Sequence, residues 1–385
     1  MATETSALVL PSASATRATP RLAGTQQAIS SLAYDRVFVV LSAWVVGGLF
    51  VDGWAHVNLR SLETFFTPWH GLFYSGFFAV LALLGVGIGR ARARGFSGLR
   101  ALPAGYELSV LGAAIFLFGG VADMIWHIVF GIEVDVEALL SPTHLMLATG
   151  LALVLSGPAR AAWRRAGTDR LVAEGWRAQL PMVLSLTYVL ALFAFFTQYV
   201  HPLSSAWAST SWQPIGAIVP TSAGDELEIP FLFQAPMLAG TLVQTALLLG
   251  VILVGLRHAR LPFGSMTLLV GLVTVMMLFM RERFVGDVRL PLLVASLFSG
   301  VAADVLLFWL RPAFSRPNAV RWFGTVVPVV VYGSYFAALL LTSGLWWIVH
   351  LWAGTIFMAG VVGYLMALLV TVGPPNEPLV ASRSA

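Results

Sequence analysis

Six residues in two short segments have the types and spacing of a metal site, and they come as a duplicate. Residues 52–70 read DGWAHVNLRSLETFFTPWH, and residues 123–144 read DMIWHIVFGIEVDVEALLSPTH. Each copy begins Asp-x3-His and ends (Ser/Thr)-Pro-x-His, with a Glu seven residues before the last His. The first supplies Asp52, His56, Glu63 and His70; the second supplies Asp123, His127, Glu137 and His144. Four of the seven histidines of the chain sit in these copies, which a random scatter would not produce. One carboxylate and two imidazoles, with positions left open, suit non-haem iron, copper or zinc. The chain has no cysteine, so thiolate ligands, thiol catalysis and disulfides are excluded.

The spacing also dictates the elements that must carry these groups. Asp52 and His56 are four residues apart, as are Asp123 and His127, so each pair shares one face of a helix. Thr67-Pro68 and Ser141-Pro142 have the form of helix starts, a hydroxyl cap followed by proline at the first helical position. His70 and His144 then fall at the third helical position. There the positive end of the helix dipole favours the neutral, metal-binding imidazole. Asp52 and Asp123 lie near helix C-termini, where a negative charge is disfavoured and a bound cation would offset the cost. Glu63 and Glu137 are candidate acceptors for an imidazole N–H behind the ligands. Taken singly, each motif also reads as a buried ion pair beside an ordinary helix start; the repetition favours a metal site.

The helices belong in a membrane. The chain is 58% hydrophobic and 10% charged, and apolar runs of spanning length recur along it. The expected fold is all-α: a polytopic transmembrane helical bundle of about ten helices with an internal duplication of a two-helix hairpin. The spans fall near 36–57, 68–89, 107–130, 142–160, 180–201, 229–256, 263–282, 289–310, 322–343 and 346–372. Residues 1–33 read as a disordered cytoplasmic tail, 34–160 as the duplicated metal-motif helices, 161–373 as the remaining helices, and 374–385 as a second cytoplasmic tail. All 22 basic residues are arginine. They concentrate after the second, fourth, sixth and eighth spans, which by the positive-inside rule places both termini in the cytoplasm and the metal motifs at the outer face. No basic run is interleaved with aromatics as a nucleic-acid binder would need.

Three further residues are candidates for the site. His201 and His350 fall at outer helix ends, where a polar interface residue or an aromatic-belt anchor is the competing reading. Asp304 ends FSGVAAD, an echo of FGGVAD at 118–123, but position 308 is Phe where the repeat would need His. Met276, Met277 and Met280 could serve Cu(I), although ordinary core filling is the stronger reading of such a cluster.

The 52–70 segment, with DGWAH followed by FTPWH, resembles the metal-site segment of the C subunit of particulate methane and ammonia monooxygenases. Carried over by position, Asp52, His56 and His70 match that family's copper ligands, and Glu63 matches its acidic residue. Through the duplication, Asp123, His127 and His144 match the same ligands a second time. The resemblance implies a copper site near the outer membrane face and oxygen activation on a small hydrophobic substrate, in the company of other membrane subunits. Two other functions fit the composition: copper transport, storage or delivery, and a non-catalytic membrane scaffold with structural Asp–His pairs.

Overall fold

The computed structural model describes residues 27–59, 66–131, 133, 136–165, 168–212 and 229–372. Most of them lie in thirteen helices: α1 (Leu32–Asn58), α2 (Pro68–Ala93), α3 (Glu107–Phe130), α4 (Glu137–Leu140), α5 (Pro142–Leu155), α6 (Gly157–Arg165), α7 (Thr168–Phe196), α8 (Ile229–His258), α9 (Ser265–Met280), α10 (Glu282–Val285), α11 (Arg289–Leu310), α12 (Pro317–Thr342) and α13 (Val349–Thr371). Among the described residues there is no strand, only an isolated bridge between Ser209 and Leu345. The all-α polytopic bundle expected from the sequence is what the chain forms.

Among the described residues nine stretches are long and apolar enough to cross a bilayer, with α5 and α6 running on as one of them. All ten expected positions are helical, but α9 has only 16 residues. At 1.5 Å per residue it is about 24 Å long, short of the ~30 Å of a bilayer's hydrocarbon. The expected N-terminal tail falls mostly outside the described residues. Its last residues are ordered by the fold: Ser31 caps α1 by accepting from the Tyr34 N–H, and the Gln27 amide donates to the Leu102 carbonyl.

Helix α1 packs on α2 and α3 packs on α5, giving two hairpins, and α7 runs against both α1 and α5. The duplication extends into this packing. Gly48 of α1 and Gly119 of α3 each lie four residues before the motif aspartate, and Gly76 of α2 and Gly150 of α5 each lie six after the last motif histidine. A Cβ at Gly48 would sit 2.7 Å from Phe73 Cα, and one at Gly150 2.7 Å from the Gly112 carbonyl oxygen. These close crossings, the membrane alternative to a hydrophobic driving force, bring each motif aspartate over the start of the following helix.

The other end of the first hairpin is pinned by charge. Asp35, fully buried at the start of α1, pairs with Arg165 and accepts from the Tyr106 hydroxyl at 2.9 Å. Burial and the neighbouring carboxylate hold the Tyr106 phenol well above its ordinary pKa. Asp35 and Asp52 are 17 residues apart on α1, so this lock sits about 25 Å from the metal motif.

Candidate metal centre

Both helix starts form as the sequence requires. Thr67 is extended (φ −105°, ψ 156°) and its hydroxyl accepts from the His70 N–H at 3.1 Å. Ser141 (φ −61°, ψ 148°) accepts from the His144 N–H at 3.4 Å. Each cap satisfies an otherwise orphaned helix N–H and fixes the histidine at the third position of α2 or α5. From the other side of each hairpin, α1 presents Asp52 and His56, and α3 presents Asp123 and His127.

The six ligand candidates meet as two triads. Asp52 Oδ2 lies 3.4 Å from His70 Nε2 and 3.9 Å from His56 Nε2. Asp123 Oδ1 lies 3.3 Å from His144 Nε2, and its Oδ2 lies 3.6 Å from His127 Nε2. Within each triad one ligand atom per residue lies within 4.8 Å of the others. All four imidazoles turn the same nitrogen, Nε2, toward the carboxylate, the orientation of ligands around a common cation.

Buried polar atoms support that reading. Asp52 is buried, and its Oδ1 has no hydrogen-bond partner among the described residues. A buried carboxylate oxygen without a donor is costly unless a cation compensates it. In the second triad, His127 Nδ1 lies 3.2 Å from the Gly131 carbonyl oxygen. Gly131 ends α3 with φ 85°, a conformation that costs glycine little and turns its carbonyl back over the ring. His127 Nε2 faces Asp123 Oδ2 at 3.6 Å, a pairing that either a ring proton or a bound cation between them satisfies.

The triads open on one cavity of about 710 Å³. Its apolar wall includes Leu49, Phe73, Phe116, Leu147, Leu151 and Phe195, and Tyr74, Tyr199, Glu133 and Arg281 add polar groups. Tyr74 reaches from α2 toward α3: its ring centroid is 6.4 Å from that of His70, and its hydroxyl lies 3.4 Å from where a Cβ on Gly120 would be. Two hairpins facing one chamber is the arrangement a duplicated motif about a pseudo-twofold would give.

The other expected site residues are elsewhere. Glu63 lies outside the described residues. Glu137 is exposed at the start of α4, and the carboxylate beside His144 belongs to Glu133, at 3.3 Å from Nδ1. Glu133 lies outside the repeated motif; the signal that marks it is the linker, three residues longer in the second copy. Asp304 is fully buried and spent as a helix cap: it accepts from the Met266 and Thr267 backbone N–H groups at 3.0 and 2.9 Å and from the Thr267 hydroxyl at 2.6 Å. It sits at the start of α9, whereas the end of α9 meets α1 beside the first triad through Asn58 Nδ2 and the Met280 carbonyl, 3.2 Å apart. Asp304 is thus about one helix length, ~24 Å, from that triad. His350 is exposed at the start of α13. His201 faces a separate cavity of about 80 Å³, its Nδ1 accepting from the Leu203 N–H at 3.0 Å, and burial pushes its imidazole down to about 3. Met280 packs its sulfur against Gly53, and both Met277 and Met280 are fully buried in the core.

Comparison with models of known families, with characterised proteins and with solved structures finds no match to this chain. The fold and the donor set therefore define a class by themselves: a polytopic helical membrane protein that has, among the described residues, two Asp/His/His groups, each built on a buried aspartate, able to hold a metal ion.

Proposed function

We propose that the chain is a membrane metalloprotein whose two Asp/His/His triads hold copper, and that it serves as an oxygen-activating subunit similar to the C subunit of particulate methane and ammonia monooxygenases. One observation carries the reading: both triads open on a single cavity whose wall is mostly apolar. A transport route would need polar groups leading away from the metal through the bundle. Two intramembrane polar residues outside the triads are already engaged, Gln244 with the Thr197 hydroxyl at 2.7 Å and Asp304 as a helix cap. An apolar chamber instead suits a small hydrophobic substrate that must be held beside the metal and away from water.

In this reading Asp52 and Asp123 supply the negative charge of the sites, and His56, His70, His127 and His144 bind through Nε2. Copper bound there supplies the activation of oxygen. Phe73, Phe116, Leu147 and Phe195 exclude water and position the substrate. The arginine distribution favours a chamber at the outer face and cytoplasmic termini, as this reading requires.

The test uses membranes containing the full chain, loaded with Cu(II) and supplied with oxygen, a reductant and a short alkane. Hydroxylated product that is lost in an Asp52→Asn/Asp123→Asn variant supports the reading. Copper movement across sealed vesicles without product makes the protein a copper transporter, and neither signal leaves the scaffold reading.

A further inference from the structure

The small cavity that His201 faces is lined by polar side chains from four separate parts of the fold. His201 comes from the turn after α7, Gln244 from α8, Thr274 from α9 and Ser296 from α11, around a space of about 80 Å³. One water needs roughly 10–15 Å³ of such space, so the cavity has room for a molecule of a handful of non-hydrogen atoms. The end of α7 contributes to this cavity and to the triad chamber: Leu190 and Ala194 line the one, Phe195 and Phe196 the other.

The surrounding hydrogen bonds fix what each polar group offers. The Leu203 backbone N–H donates to His201 Nδ1 at 3.0 Å. Burial keeps the ring neutral, with a pKa near 3, so its one proton sits on Nε2 and the ring donates there. The Thr197 hydroxyl spends its proton on the Phe193 carbonyl, so it can only accept from Gln244. That fixes the amide with its nitrogen on Thr197 and leaves Oε1 as an acceptor. The Tyr332 and Tyr335 hydroxyls donate to the Thr241 and Pro202 carbonyls, each at 3.2 Å. The Thr274 and Ser296 hydroxyls make no hydrogen bond among the described residues. No charged side chain is among the described residues that line the cavity, and burial alone shifts His201.

We propose that this cavity is a binding site for a short aliphatic alcohol. One hydroxyl group meets both fixed demands, accepting from His201 Nε2 and donating to Gln244 Oε1. The Thr274 and Ser296 hydroxyls turn to suit it, and the hydrocarbon tail lies against Leu248, Val270 and Val273. A charged molecule would lose its hydration and find no opposite charge. An alkane would leave the donor and the acceptor unpaired. The site is built from its own residues and needs no metal; an alcohol is also the class of product that hydroxylation in the neighbouring chamber would release.

The experiment uses the metal-free full chain in deuterated detergent with n-butanol as the probe, read by saturation-transfer NMR. The expected result is saturable binding of n-butanol and none of butyrate or butylammonium. Gln244→Met and His201→Phe each weaken it about 2- to 10-fold, the worth of one hydrogen bond. Thr274→Val, which keeps the shape and removes a hydroxyl, weakens it within the same range. Helical content by circular dichroism checks that each variant is folded, and Thr274→Val carries the test if the other two are not. A signal that only rises linearly with n-butanol, as partition into detergent beside a cavity holding water alone would give, overturns the inference. So does binding that every folded variant shares with the wild type, or equal binding of the charged congeners. Each of these outcomes spares the copper reading, and a protein that binds no copper can still pass this test.

Discussion

The hairpins α1–α2 and α3–α5 and the pair α9–α11 use the same construction to opposite ends. In each, an aspartate follows a glycine by four residues: Gly48 and Asp52, Gly119 and Asp123, Gly300 and Asp304. Each glycine lies at a helix crossing; a Cβ on Gly300 would stand 2.6 Å from Thr267 Cα, much as one on Gly48 would meet Phe73. Each aspartate thereby looks onto the first turn of a neighbouring helix. The third residue of that helix is His70, His144 or Thr267. The capping residue is Thr67, Ser141 or Gly264.

The cap decides the fate of the carboxylate. Thr67 and Ser141 satisfy the helix start with their own hydroxyls, so Asp52 and Asp123 remain available for a ligand. Gly264 has no side chain, so Asp304 takes over as acceptor for the exposed N–H groups of α9. Thr267 and Phe308 stand where the two triads have histidines, and among the described residues Asp304 belongs to no group of His and carboxylate residues able to hold a metal ion. A buried acid in a membrane helix is thus a site only where something else has met the demand of the neighbouring backbone.

Replacing the three aspartates should separate the two uses. Asp304→Ala leaves two backbone N–H groups and a hydroxyl without an acceptor, at about 1–3 kcal/mol for each buried donor. Thermal unfolding in detergent should show the largest loss of stability of any variant proposed here, with copper content unchanged in whatever protein remains folded. If Asp304→Ala removes copper instead, the division between cap and site fails.

Gly131→Ala comes next. The native φ of 85° with ψ 178° is nearly closed to residues with a Cβ, at a cost on the order of 1–3 kcal/mol. The Gly131 carbonyl would leave His127, so weaker copper binding should be confined to the second centre. Equal weakening of both centres would show that the loops act globally.

Thr67→Ala should cost about 1 kcal/mol through loss of the cap. Because the cap fixes the turn of α2 that carries His70, the first centre should also bind copper more weakly than in the wild type, measured by chelator competition. A Thr67→Ser variant keeps the hydroxyl and should restore both properties.

Asp52→Asn has the opposite signature. It removes a buried charge with an unpartnered oxygen, so the metal-free protein should melt no lower than the wild type while losing one copper. A clear drop in the melting temperature of the metal-free protein would mean that Asp52, like Asp304, is structural.

The smallest effect expected is that of His201→Ala. Copper occupancy should fall as pH drops through the ordinary imidazole range near 6.5, because protons compete for the four Nε2 atoms. His201, with its pKa near 3, stays neutral throughout that window. His201→Ala should therefore leave both the occupancy and its pH midpoint unchanged.

What could be read from the chain was what local chemistry sets. The span 107–130 coincides with α3, and the starts of α2 and α5 fall at Pro68 and Pro142, because hydroxyl caps, proline and apolar runs act over a few residues. The i, i+4 pairs and the Thr-Pro-x-His ends placed all six triad residues in their groups. Long-range packing supplied the rest. That Asp304 is a cap depends on α9, which lies 37 residues earlier at the nearest bond. That Glu133 and not Glu137 stands behind His144 depends on how the longer linker folds back. That both triads meet one chamber depends on two hairpins packing face to face, which no spacing along the sequence encodes.

The measurement that bears most directly on the account is elemental analysis of the detergent-purified full chain beside a His56→Ala/His127→Ala double variant, each after incubation with copper and removal of the excess. The account predicts copper near two per chain in the wild type and its loss in the double variant, with both proteins folded. A wild type that binds no metal, or a double variant that keeps it, would contradict the two-centre reading and leave the triads as structural ion pairs.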